Sequence, residues 1–351
     1  MTTKSEKILI ENGTIVSTFA RGISVPGKPA KNLDNIHIIF FGSRECSVRF
    51  LDALIEKEKV IGVITHPDRP SGRGLQVRQS IVKEFSIKNE IPVFTPENLK
   101  DKKFISEIES LKPDLGVVVA YGKILPKEIF LIPRYKTINV HFSLLPKYRG
   151  AAPIQWAIIR GEKITGVTIF FIDEGLDTGK ILLQKEVEIE KTDDSITLEK
   201  KLVSVGIDLL FEVIDRIKNS PENIYTSEQK GTPSYAPVLK KSDGKINWNS
   251  SSEEIYNLIR GTKPWPSAYV ETQNEKLKIK NLKILKAISV DLQLNNEYIP
   301  GTIVELKKNA GFIVKCGNGF LLIEEVQPEG KKPMSAWAWL QGSKLKVGDK
   351  L

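Results

Sequence analysis

Residues 36–57, "IHIIFFGSRECSVRFLDALIEK", predict the fold of the first half of the chain. The run 36–41 is apolar apart from His37 and ends at Gly42, which is typical of a strand buried on both faces. Val48, Leu51 and Leu54 then follow at helical spacing, so a helix is expected after the strand. The connecting "GSRECS" has no G-x-G-x-x-G pattern, and a dinucleotide site is therefore not predicted there.

The same alternation continues along the chain. Further strands are predicted in 60–66, 91–95, 114–122, 136–143, 166–174 and 180–189, and helices in 80–90, 103–111, 153–161 and 195–219. Alternation of this kind is typical of right-handed βαβ units. It predicts an α/β fold with a Rossmann-like, doubly wound, mainly parallel sheet.

Composition changes mark the domain boundaries. Residues 1–35 read as an amino-terminal extension, with a small hairpin around Asn12–Gly13, and the α/β domain is predicted at 36–218. The polar stretch 219–236 reads as a linker. Beyond it, in 237–351, short strands broken by glycine and asparagine turns predict a small OB-like β-barrel.

Composition also limits the class of protein. The formal net charge is +9, and residues 236–351 hold 18 lysines and arginines against 12 acidic residues, which favours an anionic partner. The two cysteines, Cys46 and Cys316, lie far apart, so neither a disulfide framework nor a metal site is expected. No stretch is apolar enough to span a membrane, and no secretory signal is evident. We expect a cytoplasmic monomer that needs no metal.

A group of polar residues follows the middle strands. In "INVHFSLLPKYRGAAP" (138–153), Asn139 and His141 share one strand face near its carboxyl end, where open α/β sheets bind ligands. The next strand ends in "DEGLDTGK", so Asp173, Glu174 and Asp177 are candidates for the same crevice. An amide can donate to an oxyanion, an imidazole can take up a proton, and a carboxylate can orient the imidazole. The set favours acyl transfer to an amine, although a buried structural histidine is the alternative.

These segments carry a resemblance to a known family. "INVHFSLLPKYRGAAPIQWAI" and "GVTIFFIDEGLDTGKIL" resemble the formyltransferases that use 10-formyltetrahydrofolate as cosubstrate. The resemblance implies that Asn139, His141 and Asp177 are the catalytic residues. It also implies a folate-binding loop at Ser143, Leu144, Leu145 and Pro146.

Within that family, the resemblance is greatest to members that formylate initiator methionyl-tRNA. It extends from about residue 36 to 351 and includes "TPSYAPVLKKSDGKINW" and "RGTKPWPSAY". The segment "THPDRPSGRGLQVRQS" resembles the loop by which these members hold the tRNA acceptor end. This implies tRNA contacts at Arg69, Arg73 and Arg78. The chain departs from the family at "GSRECS", where Arg44 replaces the usual proline and Cys46 the usual aromatic residue.

Three alternatives stay open at this point. A nucleotide-sugar N-formyltransferase would share Asn139, His141 and Asp177 but would lack the arginine-rich loop and the tRNA-type barrel. A glycinamide ribonucleotide formyltransferase would end after the first domain. A non-catalytic RNA-binding protein would need only the basic barrel, and would leave the three polar residues unexplained.

Overall fold

The computed structural model describes residues 35–71, 76–272, 279–293 and 298–351. The hairpin predicted around Asn12–Gly13 lies outside the described residues. The elements of the first domain, in chain order, are β1 (His37–Gly42), α1 (Glu45–Lys57), β2 (Lys59–Ile64), β3 (Arg69–Ser71), β4 (Gln76–Arg78), α2 (Ile81–Lys88), β5 (Val93–Phe94), α3 (Lys102–Ser110), β6 (Leu115–Val119), α4 (Lys127–Phe130), β7 (Thr137–His141), α5 (Pro153–Ile159), β8 (Ile164–Phe171), β9 (Ile181–Glu188) and α6 (Ser195–Asn219).

Seven of these strands form one twisted sheet in the order β5-β2-β1-β6-β7-β8-β9. The strands from β5 to β7 pair in parallel, and β8 and β9 are antiparallel to their neighbours. Ile38 and Phe40 pack in one core cluster, while Ile39 and Phe41 pack in another on the opposite face of the sheet. The prediction of a doubly wound, mainly parallel sheet is confirmed, because the apolar run of β1 serves both layers.

The long helix α6 closes this domain. Asp194 is its N-cap and accepts hydrogen bonds from the backbone amides of Ile196 and Thr197, each at 3.0 Å. Its buried face, which includes Leu202 and Leu209, belongs to the same core as α1 and β1. An acidic cap at this position also interacts favourably with the helix dipole.

The chain between α6 and the second domain crosses the first domain. Ser227 exchanges two backbone hydrogen bonds with Ile181 at the start of β9, both at 2.8 Å. Further on, Tyr235 pairs with Arg149 in a parallel bridge. We call residues 227–236 the crossing segment.

The second domain is built on an antiparallel sheet. Its elements are α7 (Ser252–Gly261), β10 (Tyr269–Glu271), β11 (Asn281–Val290), β12 (Ile303–Lys307), β13 (Gly311–Lys315), β14 (Phe320–Pro328), β15 (Met334–Ser335) and α8 (Ala336–Ser343), preceded by a 3-10 turn at Lys241–Gly244. The strand order is β10-β11-β14-β13-β12, and β15 pairs with β14. Strand β11 and helix α8 were not predicted.

The two domains meet at a polar contact. Arg260 of α7 is only 8% exposed and donates to the carbonyl oxygens of Asp193 at 2.8 Å and Glu190 at 3.1 Å. The Tyr256 hydroxyl donates to the carbonyl of Lys191 at 2.8 Å. Because a buried guanidinium left without acceptors would be costly, these bonds fix the second domain against the loop before α6.

Candidate active site

Strand β7 presents the amide and the imidazole side by side. Asn139 lies opposite Phe170 of β8, and His141 lies opposite Thr168. Side chains two residues apart on a strand share a face, so both project towards the same side of the sheet. His141 is buried and Asn139 is half-buried, which leaves the amide the more accessible of the two.

The two nitrogens of His141 have different surroundings. Its Nε2 lies 2.9 Å from the carbonyl oxygen of Tyr148. A carbonyl can only accept, so Nε2 carries a proton and donates it. Its Nδ1 lies 3.7 Å from Oδ2 of Asp177, which is longer than a hydrogen bond. When the ring is neutral, its lone pair is therefore on Nδ1, next to a carboxylate.

Tyr148 holds its own carbonyl in place through its side chain. The phenol is buried and donates to Oε1 of Glu162 at 2.8 Å. Burial, together with this acceptor, raises the pKa of Tyr148 to about 12, so the hydroxyl stays protonated and stays a donor. The ring thus anchors the loop whose backbone fixes His141.

Of the three candidate carboxylates, only Asp177 reaches the imidazole. Its Oδ2 accepts a hydrogen bond from the backbone amide of Gly150 at 2.7 Å, and its backbone is in the left-handed region with φ of 52°. Asp173 instead accepts from Gly175 and Thr178 within its own turn. Glu174 pairs with Lys127 at 2.8 Å and is exposed.

The loop predicted to bind folate is mostly buried. The Ser143 hydroxyl donates to the carbonyl of Lys147 at 2.6 Å, and the Leu145 amide donates to Oγ1 of Thr168 at 3.1 Å. Of Ser143, Leu144, Leu145 and Pro146, only Leu144 is partly exposed, and the Leu145–Pro146 peptide is cis. The structure shows these residues shaping the loop beside His141, and their contact with folate stays a prediction.

Sequence reasoning missed the residues that hold this loop. Gln184 on β9 donates to the Leu145 carbonyl at 2.8 Å and to Oγ1 of Thr168 at 2.9 Å. Thr168 in turn donates to the carbonyl of Ser143 at 2.6 Å. A signal was present, because Thr168 lies within the largely apolar β8, and Gln184 directly follows the apolar run 181–183 at the start of β9.

Two adjoining cavities lie beside the turn that carries Asp177. One, of about 700 Å³, is lined by Phe130, Phe171 and Glu174 among others. The second, of about 640 Å³, shares Phe130 and Glu174 and adds Lys123 and Leu125. Both linings mix apolar side chains with many charged ones, and neither lining includes Asn139, His141 or Asp177 itself. Their volumes are in the range of small-molecule sites.

The loop predicted to contact tRNA begins and ends in a short hairpin. Arg69 of β3 lies opposite Arg78 of β4 in the antiparallel pair. Arg73 lies outside the described residues. The backbone register places Arg69 and Arg78 at the base of one loop, and their contacts with RNA stay predictions.

The atypical "GSRECS" loop is joined to the end of β6. The Ser43 hydroxyl lies 2.9 Å from the carbonyl of Ala120, and the Ser47 hydroxyl donates to the carbonyl of Val119 at 2.7 Å. Arg44 is exposed at the start of α1, whereas Cys46 is buried in the core. Burial, and next the nearby Glu199 carboxylate, raise the pKa of the Cys46 thiol to about 12.

The described residues contain neither a metal-binding cluster nor a membrane-spanning helix. In the described ranges, no group of three or more His, Cys, Asp or Glu side chains is arranged to hold a metal ion. Nor does any helix in this part of the chain have the length and apolar character needed to cross a membrane.

Comparison with known proteins identifies the class. Residues 34–214 match the formyl transferase family, and residues 238–344 match the formyl transferase C-terminal domain. The chain belongs to the formyl transferase family.

The chain is similar over most of its length to several proteins of this family. The chain is 48% identical to the methionyl-tRNA formyltransferase of Thermodesulfovibrio yellowstonii over 89% of this chain and 97% of that protein. It is 42% identical to the methionyl-tRNA formyltransferase of Acetivibrio thermocellus over 90% and 99% of the two chains. Among solved structures, it is similar to WlaRD, a sugar 3N-formyltransferase, with a TM-score of 0.58, 25% identity, and coverage of 85% and 99%.

Proposed function

We propose that this protein transfers a formyl group from 10-formyltetrahydrofolate to the α-amino group of initiator methionyl-tRNA. The observation that carries the proposal is the environment of His141. Its Nε2 is hydrogen-bonded to a backbone carbonyl, its Nδ1 faces Asp177, and Asn139 lies on the same strand face. The relatives named methionyl-tRNA formyltransferase, which match nearly the full length of both domains, support the choice of acceptor.

The proposed chemistry follows from the two ring nitrogens. The methionyl amine attacks the formyl carbon, and Nδ1 of His141 takes the proton that the amine loses. The imidazolium is stabilised by Asp177 at 3.7 Å, and Asn139 donates to the tetrahedral oxyanion. The bond from carbon to N10 of the folate then breaks, and N10 receives the proton from His141. No protein nucleophile is needed, because the acceptor amine is the nucleophile.

We place the cosubstrate in the adjoining cavities as part of the proposal. They lie against the turn of Asp177 and offer aromatic walls at Phe130 and Phe171, with Lys123 as a cation. A pteridine ring and an anionic tail need surroundings of this kind. The similar sugar formyltransferase was crystallised in the presence of 5-N-formyl-tetrahydrofolate, which supports a folate as the formyl donor.

We place the tRNA on the basic second domain and on the loop between β3 and β4. The second domain has an excess of six positive charges over residues 236–351. A polyanion is attracted to such a surface independently of its sequence. We assign Arg69, Arg73 and Arg78 to the binding of the acceptor end. We also propose that the protein is cytoplasmic and that it is a monomer in solution, and sedimentation analysis tests the monomeric state.

The second candidate is formyl transfer to an amino sugar, which the similarity to WlaRD favours. One assay separates the two. The protein is given labelled 10-formyltetrahydrofolate and, in turn, charged initiator tRNA, uncharged tRNA and a nucleotide-linked amino sugar. Transfer to charged tRNA alone is the expected result, and transfer to the sugar alone would overturn the proposal.

A matched pair of histidine variants tests the site. His141→Ala should lower kcat by about 10²–10⁴-fold, as loss of a general acid–base does, with folate and tRNA binding retained. His37→Ala is the control, because His37 lies at the opposite end of the sheet, at the start of β1. Turnover in His141→Ala within a few-fold of the unaltered protein would contradict the assignment. Absence of any transfer by the unaltered protein would also contradict it, because that result is expected of a non-catalytic RNA-binding protein.

A further inference from the structure

The crossing segment, residues 227–236, joins the two loops that frame His141. At one end Ser227 pairs with Ile181, just after the turn that carries Asp177. At the other end, the Arg149 amide donates to the carbonyl of Ser234 at 2.8 Å, and the Ala236 amide donates to the carbonyl of Arg149 at 2.7 Å. The segment therefore bridges the loop of Asp177 and the loop of Tyr148 and Gly150.

Gln229 lies at the centre of this bridge. Its Nε2 donates to the carbonyl oxygens of Asp177 at 2.8 Å and Gly179 at 2.9 Å. Its Oε1 accepts from Nε of Arg149 at 3.2 Å and from Nη2 of Arg149 at 2.6 Å. The amide thus uses both donors and its acceptor oxygen, and its orientation is fixed because carbonyls only accept and a guanidinium only donates.

These bonds act on the backbone of the catalytic carboxylate. Asp177 is held with φ of 52°, a left-handed conformation that non-glycine residues rarely adopt. From that conformation its side chain reaches both Gly150 and His141. The hydrogen bonds from Gln229 to the carbonyl oxygens of Asp177 and Gly179 stabilise the backbone of Asp177 in this conformation.

We propose that Gln229 is a positioning residue for the reaction, which holds the Asp177 turn so that the carboxylate faces Nδ1 of His141. This inference rests on the proposed function. Gln229 acts on the reaction indirectly, because its side-chain amide binds the backbone carbonyl of Asp177 and the guanidinium of Arg149. Only an amide side chain fits both sides, since a carboxylate would face two carbonyls and an amine would face a guanidinium.

The test is a double-mutant cycle between Gln229 and Asp177, read as single-turnover rates with saturating substrates. Gln229→Ala should lower kcat by roughly tenfold to a hundredfold, with KM for folate and tRNA within about threefold. In an Asp177→Asn background, the same substitution should cost less than about threefold, because a residue that acts through Asp177 has little left to lose. Equal losses in both backgrounds, or normal kcat, would overturn the inference.

Two further variants keep the test decisive. Gln229→Glu has the same shape and keeps the Arg149 contact, so it should reproduce the loss of kcat even if Gln229→Ala fails to fold; an active Gln229→Glu would overturn the inference. The control is Asn89→Ala, because Asn89 also donates from its side-chain amide to a backbone carbonyl, that of Phe85 at 2.9 Å, but is exposed at the end of α2. It should leave kcat unchanged.

A readout without turnover separates this inference from the proposed function. The chain has three histidines, so the ring signals of His141 can be assigned in an NMR spectrum by comparison with His141→Ala. Gln229→Ala should shift the His141 signals and leave those of His37 unchanged, whatever the acceptor proves to be. If the unaltered protein formylates no tRNA but this shift appears, the proposed function fails and the positioning role stands.

Discussion

Replacing Asp177 by asparagine removes the charge next to His141 and keeps the size of the side chain. Oδ2 of Asp177 lies 3.7 Å from Nδ1 of His141 and accepts from the Gly150 amide at 2.7 Å. An asparagine oxygen in the same place keeps the Gly150 bond, so the substitution isolates the contribution of the charge. We expect kcat to fall, because the imidazolium formed during the reaction loses its counter-charge.

The size of the effect follows from the geometry. Two unit charges 3.7 Å apart interact by about 4.5 kcal/mol at an effective dielectric constant of about 20. The Asp177 side chain is 15% exposed, and an amide dipole retains part of the attraction. We therefore expect a loss of about 2–3 kcal/mol, which corresponds to a decrease in kcat of roughly 30- to 150-fold.

The assay is single-turnover formyl transfer from labelled 10-formyltetrahydrofolate to charged initiator tRNA, with both substrates saturating. The matched control is Asp173→Asn, because Asp173 is an exposed aspartate in the same turn whose Oδ1 accepts hydrogen bonds from Gly175 and Thr178. Because Asp173 also lines the cavity of about 700 Å³, its variant is compared at saturating folate, where its rate should stay within about threefold of the unaltered rate. The reasoning is refuted if Asp177→Asn reacts normally, or if Asp173→Asn is the slower of the two.

Three further outcomes are expected. Changing Lys331 and Lys332, both exposed on the second domain, to alanine should reduce the slope of log K against log salt for tRNA binding by up to about 2, with folate affinity unchanged; an unaltered slope would place the tRNA elsewhere. Arg73→Ala should raise KM for charged tRNA without a folate defect, and Arg73→Lys should recover only part of the loss, because lysine lacks the forked donor geometry; normal tRNA kinetics would remove this residue from the interface. Iodoacetamide should label Cys46 and Cys316 very slowly at pH 8, because burial raises the pKa of each thiol to about 12 and leaves about one thiolate in ten thousand; rapid labelling of the folded protein, followed by mass spectrometry, would contradict this.

The sheet of the first domain was predictable because its apolar runs report burial directly. Two elements of the second domain were missed for different reasons. Strand β11 has an alternating start at Leu282 and Ile284, but register shifts between 284 and 287 break the period. Helix α8, "AWAWLQGS", is apolar on most sides and has no helical periodicity. Its conformation depends on tertiary packing, with the Trp339 and Phe312 rings 5.8 Å apart.

Strand alternation also sufficed to bring Asn139 and His141 together. It did not reveal the carbonyl that binds the imidazole or the glutamine that holds the Asp177 turn. The carbonyl of Tyr148 carries no side-chain signature, and Gln229 lies 52 residues beyond Asp177 in a stretch that reads only as polar linker. Contacts of this kind depend on the folded course of the backbone, which no local pattern reports.

The antiparallel pairing of β8 explains why the loops matter so much for this site. Because β8 runs against β7, Phe171 at its end lies opposite Ile138, three residues before His141. The turn after β8 therefore leaves the sheet away from the imidazole and must fold back for Asp177 to reach it. Its return is held by Gln229 and by the Gly150 amide, both of which lie in connections between regular elements. Substitutions in these connections should consequently lower kcat and change the melting temperature little. Substitutions of the buried strand residues should lower the melting temperature and change kcat little.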